Sequence, residues 1–185
     1  GEGVNISDIR NVVLYHMNFN WTSFNQMCGR VGRDGETAWI HLLYNQRDVD
    51  RNRFILENRN PSRNSLATIY KALYQMPKSK LKRKKAVETL SNNLEFDEDM
   101  IDSGLETFVD LGLITIGDTI EFQEEITEVD LEESVRYIEG ERARELFEEF
   151  QKFALYADKK KLLKNVNKAI YPSKLHADSK KVKSS

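Results

Sequence analysis

The sequence predicts a chain in successive parts: an α/β remnant with a parallel sheet, an α+β unit of three helices and a β-hairpin, and a C-terminal helical segment. Three observations carry this reading. Up to residue 58, apolar β-branched runs alternate with helical stretches, the pattern of a parallel sheet with crossover helices. Residues 59–126 hold three amphipathic stretches followed by two short strands. Between 127 and 171 apolar residues recur at three and four, the helix period. Residues 172–185 are small, polar and lysine-rich, the composition of a disordered basic tail.

In the first part, Val12 to Tyr15 is a continuous β-branched and aromatic run, as in a buried parallel strand. Trp21 to Gly32 reads as a short helix, with Thr22 and Ser23 offering N-cap hydroxyls. Thr37 to Tyr44 gives a second strand and Arg47 to Leu56 a closing helix. So few strands cannot bury both faces of a doubly wound sheet. The chain also opens on Gly1-Glu2-Gly3 with no methionine. The expectation is a C-terminal piece of a longer polypeptide.

Residues 26–35 read Gln-Met-Cys-Gly-Arg-Val-Gly-Arg-Asp-Gly. Arg30 and Arg33 are three apart, so on a helix they share a face. Gly29 and Gly32 clear side-chain bulk beside them. Two forked, permanently charged guanidiniums suit a polyphosphate, which they can grip bidentately as charge develops. The pattern Gln-x-x-Gly-Arg-x-Gly-Arg resembles the sixth signature motif of superfamily 2 helicases, closest to the RecQ-like branch. Gly3-Val4-Asn5-Ile6 resembles the end of the fifth motif, a turn beside nucleotide and nucleic acid. The resemblance implies that 1–58 is the end of a RecA-like helicase C-terminal lobe. Gly3, Asn5, Gln26, Arg30 and Arg33 would then meet a nucleotide if a first lobe is present. The chain holds no phosphate loop and no Asp-Glu pair on a strand end. No catalytic residue is assigned in it, and alone it is expected to be inactive.

The second part begins at Pro61-Ser62-Arg63. Pro61 breaks the preceding helix and Ser62 can cap a new one, in which Leu66, Ile69, Tyr70, Leu73 and Tyr74 keep helical spacing. Ala86, Val87, Leu90 and Leu94 mark a second helix. Asp97-Glu98-Asp99 opens a third, with carboxylates at the positive end of its dipole, and Gly112 closes it as a C′ glycine. Residues 113–116 and 119–122 form a hairpin around a two-residue Gly117-Asp118 turn. Three helices and a hairpin describe a winged helix over 59–126. In the third part Leu131, Val135, Ile138, Leu146, Phe147, Phe150 and Phe153 supply an apolar face, with Gly140 a candidate interruption.

Formal charge is only −2, but it is unevenly spread. Lys78 to Lys85 is a dense basic run. From Glu95 to Glu149 twenty carboxylates face only Arg136, Arg142 and Arg144, and from Lys159 onward nine lysines meet one aspartate. The third helix of the winged helix therefore has the wrong sign to read a DNA groove, because binding depends on cations that displace condensed counterions. Lys78, Lys80, Lys82, Arg83, Lys84 and Lys85 are the candidate DNA contacts, with a solvated basic loop as the alternative. Cys28 is the single cysteine, so no internal disulfide forms, and it reads as a small buried filler. No metal-ligand spacing occurs. No apolar run approaches the roughly 20 residues of a membrane span. A cytoplasmic location is expected.

The order of these parts resembles one family in particular. After the arginine motif come Pro-Ser-Arg-x-x-Leu-x-x-Ile-Tyr-x-x-Leu (61–73), Leu-Gly-Leu-Ile (111–114), Glu-Ser-Val-Arg-Tyr (133–137) and Phe-x-x-Phe-Ala-Leu-Tyr (150–156). This is similar to the C-terminal region of bacterial RecJ, the single-strand-DNA-specific exonuclease, over most of residues 1–165. The resemblance implies a parent with a 5′→3′ exonuclease core that uses Mn or Mg, and leaves ATP open. It implies an accessory role for this chain, with single-stranded DNA, or a partner such as a single-strand-binding protein, as the target. The alternative is the C-terminal half of an ATP-dependent RecQ-like helicase. The zinc module that such helicases place before the winged helix needs four cysteines, and Cys28 stands alone.

Overall fold

The computed structural model describes residues 9–77, 81–123 and 129–156. It is mostly helical with few strands. The chain divides into two units: Gly1–Val49 with Phe147–Ser185, and Asp50–Leu146. The proposed disordered tail at 172–185 lies outside the described residues, as does the basic stretch from 157 onward.

In the first unit, β1 (Asn11–Leu14) and β2 (Trp39–Leu42) pair in parallel, Asn11 opposite Trp39 and Leu14 opposite Leu42. A parallel pair needs a crossover, and α1 (Trp21–Cys28) lies in it. Asn20 caps α1, its side chain accepting from the Ser23 N–H at 2.9 Å. Thr22 and Ser23, the expected caps, lie inside the first turn; Asn20, two positions before Thr22 and in extended backbone, presents its side-chain carbonyl to the open donors. The last residues of α6 (Val135–Tyr156) complete this unit. Phe150 is fully buried, its ring 5.2 Å from Trp21 and 5.5 Å from Phe24, and Phe153 lies 5.5 Å from Trp21. Perpendicular and tilted rings at these separations add to the area they bury.

The first unit also contains a polar chain beneath the helix. Tyr44 donates its hydroxyl to Asn18 Oδ1 at 2.7 Å, and the Asn18 amide reaches Met27 Sδ at 3.2 Å. Cys28 is buried, and burial pushes its thiol up to about 11. It fills space as a neutral group, in line with the expectation of a filler.

The second unit takes most of α2 (Gln46–Arg59), then α3 (Arg63–Tyr74), α4 (Arg83–Leu94), α5 (Glu98–Asp110) and the antiparallel pair β3 (Ile114–Ile116) and β4 (Ile120–Phe122). Ser62 caps α3 as expected, and Asp97 caps α5 by accepting from the Asp99 N–H. One core joins α3, α4, α5 and the hairpin, with Ile69, Leu73, Ala86, Ile101, Leu105 and Ile114 fully buried. Gly112, with φ +68°, ends α5 in a Schellman arrangement. Its N–H bonds to Val109 O at 3.0 Å, and the Leu113 N–H to Phe108 O at 2.9 Å. Only a residue free to enter the left-handed region closes the helix this way.

The hairpin differs from expectation at its tip. Ile116 pairs with Ile120, so Gly117, Asp118 and Thr119 form a three-residue connection, with the Gly117 N–H on Thr119 O at 3.1 Å. A two-residue turn of the primed type needs positive φ, and Gly117 does not adopt it. Leu81, just before α4, accepts the Ile120 N–H at 2.7 Å and adds one bridge to the outer edge of β4.

Helix α6 runs through Gly140 without interruption. That glycine is there for approach: a Cβ built on it would lie 2.5 Å from the Asn60 Cβ. Ser134 starts the helix. Fully buried, it donates to Asp110 Oδ2 at 3.0 Å and accepts from the Tyr137 N–H at 3.2 Å. The Glu-Ser-Val-Arg-Tyr phrase is thus a helix start tied to the end of α5. Nearby, Glu57 accepts from the Ser62 N–H at 2.9 Å and the Ser65 hydroxyl at 2.6 Å, with Arg144 at 3.8 Å. Burial works to raise the Glu57 pKa, and these bonds together outweigh it and hold the carboxyl low.

Candidate functional site

The arginine motif leaves the helix before its arginines. Helical spacing predicts that Arg30 and Arg33 share a face, but α1 stops at Cys28 and both arginines lie in the turns that follow. The reason is local. The Gly29 N–H closes on Asn25 O at 2.8 Å, and Gly32 then adopts φ +62° and Gly35 φ +89°. Beyond Gly29 the N–H groups of Arg30 and Val31 reach back only three residues, to Met27 O and Cys28 O at 3.4 Å, so the α-helical ladder has ended before Gly32, where an L side chain would be strained and 3.0 Å from Glu36 O. The arginines are therefore placed by the turn. Arg33 Nε donates to Gly29 O at 3.3 Å, and both side chains are exposed. Gln26 is exposed on the last turn of α1. Gly3 and Asn5, the other expected nucleotide residues, lie outside the described residues.

Sequence reasoning missed Arg10. Its Nη1 and Nη2 meet Asp34 Oδ1 and Oδ2 at 3.1 and 2.5 Å. The bond from Arg10, followed by that from the Glu36 N–H, holds the Asp34 carboxyl below the usual carboxylate range. Asp34 follows Arg33 in the motif and could have been flagged; nothing around Arg10 marked it as its partner.

The basic candidates behave unequally. Lys78 and Lys80 lie outside the described residues. Lys82 is the N-cap residue of α4 and is exposed, as are Lys84 and Lys85. Lys84 reaches Glu88 one turn on, at 3.8 Å. Arg83 instead turns onto α5, its Nε and Nη2 each 2.7 Å from Asp102 and Nη2 2.6 Å from Glu106. The Asp102 bonds raise the guanidinium's pKa, burial opposes, and Glu106 raises it further. Arg83 thus offsets two of the carboxylates that give α5 its unfavourable sign. The arginine turn and this basic set belong to different units.

Among the described residues no group of three or more His, Cys, Asp or Glu could hold a metal ion. No helix among them is long and apolar enough to cross a membrane.

Two nucleic-acid-processing families match the chain, meeting at the end of the arginine turn. Residues 36–165 match the family described as single-strand DNA-specific exonuclease, C terminal domain, and the chain belongs to that family. Residues 1–35 match the helicase conserved C-terminal domain. Over 63 residues the chain is 40% identical to a protein named putative ATP-dependent RNA helicase R290 of Acanthamoeba polyphaga mimivirus. That match covers 34% of this chain and 12% of the relative. No solved structure gives a significant match.

The join between the two matched segments, after Gly35, is not a structural boundary. β1 belongs to the helicase-like segment and β2 to the exonuclease-type segment, yet they share one parallel ladder. Trp21 and Phe24 likewise pack on Phe150 across the two segments within one unit.

Proposed function

We propose that this chain is the accessory C-terminal region of a RecJ-type, single-strand-specific 5′→3′ exonuclease acting in DNA repair and recombination. Its first part is the end of a RecA-like helicase lobe, carrying the fifth and sixth motifs, and 59–126 is a winged helix. The chain engages single-stranded DNA through Lys82, Lys84 and Lys85, with Lys78 and Lys80 of the same run. Arg83 screens the acidic helix behind them. One observation carries this reading: the exonuclease-type family match runs from just after the arginine motif through the last described helix. The winged-helix assignment is supported by the order α3, α4, α5, β3, β4 and by the Leu81 bridge to β4.

Titration of a labelled oligothymidylate at several salt concentrations tests the DNA contact. Each phosphate neutralised on a single strand contributes roughly −0.7 to the slope of log affinity against log salt. Reversing Lys82, Lys84 and Lys85 to Glu weakens binding and flattens the slope. Unaltered affinity and slope would show that the run is not the contact. Competition by an acidic peptide, the chemistry of a single-strand-binding protein's tail, distinguishes a protein partner at the same lysines.

A second reading is favoured by the intact arginine motif and by the helicase relative: the C-terminal half of an ATP-dependent RecQ-like helicase. Arg33 would then reach the terminal phosphate of ATP and Arg30 would support it. The nuclease reading calls for Mn or Mg and leaves ATP open, whereas this reading requires ATP. ATPase assay of a longer parent carrying Arg33→Ala separates them, since loss of an arginine finger costs on the order of a thousandfold in turnover.

A further inference from the structure

The arginine turn is tied to the strand that precedes it. Gly32 donates its N–H to Ile9 O at 3.1 Å, and the next residue, Arg10, grips Asp34 through both carboxylate oxygens. Arg10 is itself fixed by the sheet, because its carbonyl accepts the Trp39 N–H at 2.7 Å where the β1–β2 ladder begins. Asp34 is the turn's side of this link: the oxygen that accepts Arg10 Nη1 also accepts the Glu36 N–H at 3.1 Å. Gly32 and Gly35, at positive φ on either side of Arg33 and Asp34, are the residues with most freedom to lose. The turn is held from within by the Gly35 N–H on Gly32 O at 3.1 Å, and contacts from outside it further offset the freedom that its two glycines lose.

We infer that Arg10 is a positioning residue for this turn, acting through Asp34 to hold Arg30 and Arg33 in one presentation toward a phosphate group. The role rests on the reading of those two arginines as phosphate-binding residues. A forked guanidinium is required because only two parallel bonds fix the carboxylate's orientation as well as its distance. An exposed ion pair contributes little to global stability, so its effect belongs to the local order of the turn.

The experiment measures amide hydrogen exchange at Val31 to Gly35, together with binding of inorganic tripolyphosphate, in the 185-residue chain. Arg10→Gln is expected to speed exchange in the turn several-fold and weaken tripolyphosphate binding, leaving the thermal midpoint nearly unchanged. Arg10→Lys falls between it and the wild type. Asp34→Asn keeps an acceptor for the Glu36 N–H but loses the ion pair, and combining it with Arg10→Gln adds nothing further. Unchanged exchange in Arg10→Gln, or full additivity of the two changes, overturns the positioning role. Tripolyphosphate binding unaffected by Arg30→Ala with Arg33→Ala overturns the phosphate reading instead, whatever the exchange data give.

Discussion

Arg83 straddles Asp102, with Nε 2.7 Å from one carboxylate oxygen and Nη2 2.7 Å from the other. The most basic stretch of the chain thereby spends its arginine on the most acidic helix. Both partners remain over a third exposed, so the pair adds no more than about 1 kcal/mol to stability. Its larger effect is on the local field. Arg83→Ala is expected to weaken oligothymidylate binding while leaving the salt slope near the wild-type value. Lys84→Ala and Lys85→Ala lower affinity and slope together. An Arg83→Ala slope that falls as far as theirs would make Arg83 a direct phosphate contact.

Gly140 and Asn60 set how closely α6 approaches the chain after α2. Gly140→Ala places a methyl 2.5 Å from the Asn60 Cβ, with no flexible end to move aside. Helix propensity favours alanine by about 1 kcal/mol, whereas overpacking costs about 1–3 kcal/mol. Urea unfolding should show net destabilisation, relieved in part by Asn60→Gly. A more stable Gly140→Ala protein would mean that the approach is not tight.

Phe150 carries the first unit's aromatic cluster. Phe150→Ala removes the ring against Trp21 and Phe24 and should cost about 3–5 kcal/mol. Trp39 is 64% exposed, so a Trp39→Phe background leaves Trp21 as the reporter. Red-shifted emission on Phe150→Ala marks loss of the cluster, and an unshifted spectrum argues against the packing.

Cys28 gives a pH signature at the alkaline end. Burial raises its folded pKa from 9.0 to about 11. A raised acid pKa means that the unfolded chain loses its proton first. The stabilising contribution is complete below pH 9 and disappears as pH rises through 11. Tyr44, raised chiefly by its own burial, adds a loss of the same sign above its ordinary range. Stability of the wild type should therefore fall more steeply between pH 9 and 11 than that of Cys28→Ala. At neutral pH a thiol reagent should label Cys28 only as fast as the first unit opens.

Much of the architecture was legible along the chain. Both strands of the parallel pair, the Ser62 cap, the acidic start of α5 and the Gly112 helix stop follow from short-range chemistry, because each is decided within a few residues. The composite family character was legible for the same reason, since the arginine motif and the later phrases are local patterns. What the sequence alone misplaced are the choices between competing partners. Periodicity carries α1 through Gly32, whereas the ladder tightens to three-residue bonds after Gly29 and leaves Arg30 and Arg33 on a turn. Gly140 is a candidate interruption by residue type alone, whereas the fold keeps it helical and sets Asn60 against it. The partner of Arg83 was equally out of reach of any local pattern, because Asp102 lies 19 residues away along the chain. Arg10 and Asp34 are separated by 24. Composition tells which charges exist; only the folded backbone decides which of them come within hydrogen-bonding distance and which stay facing solvent, because that distance is set by helix and strand packing far outside any local window.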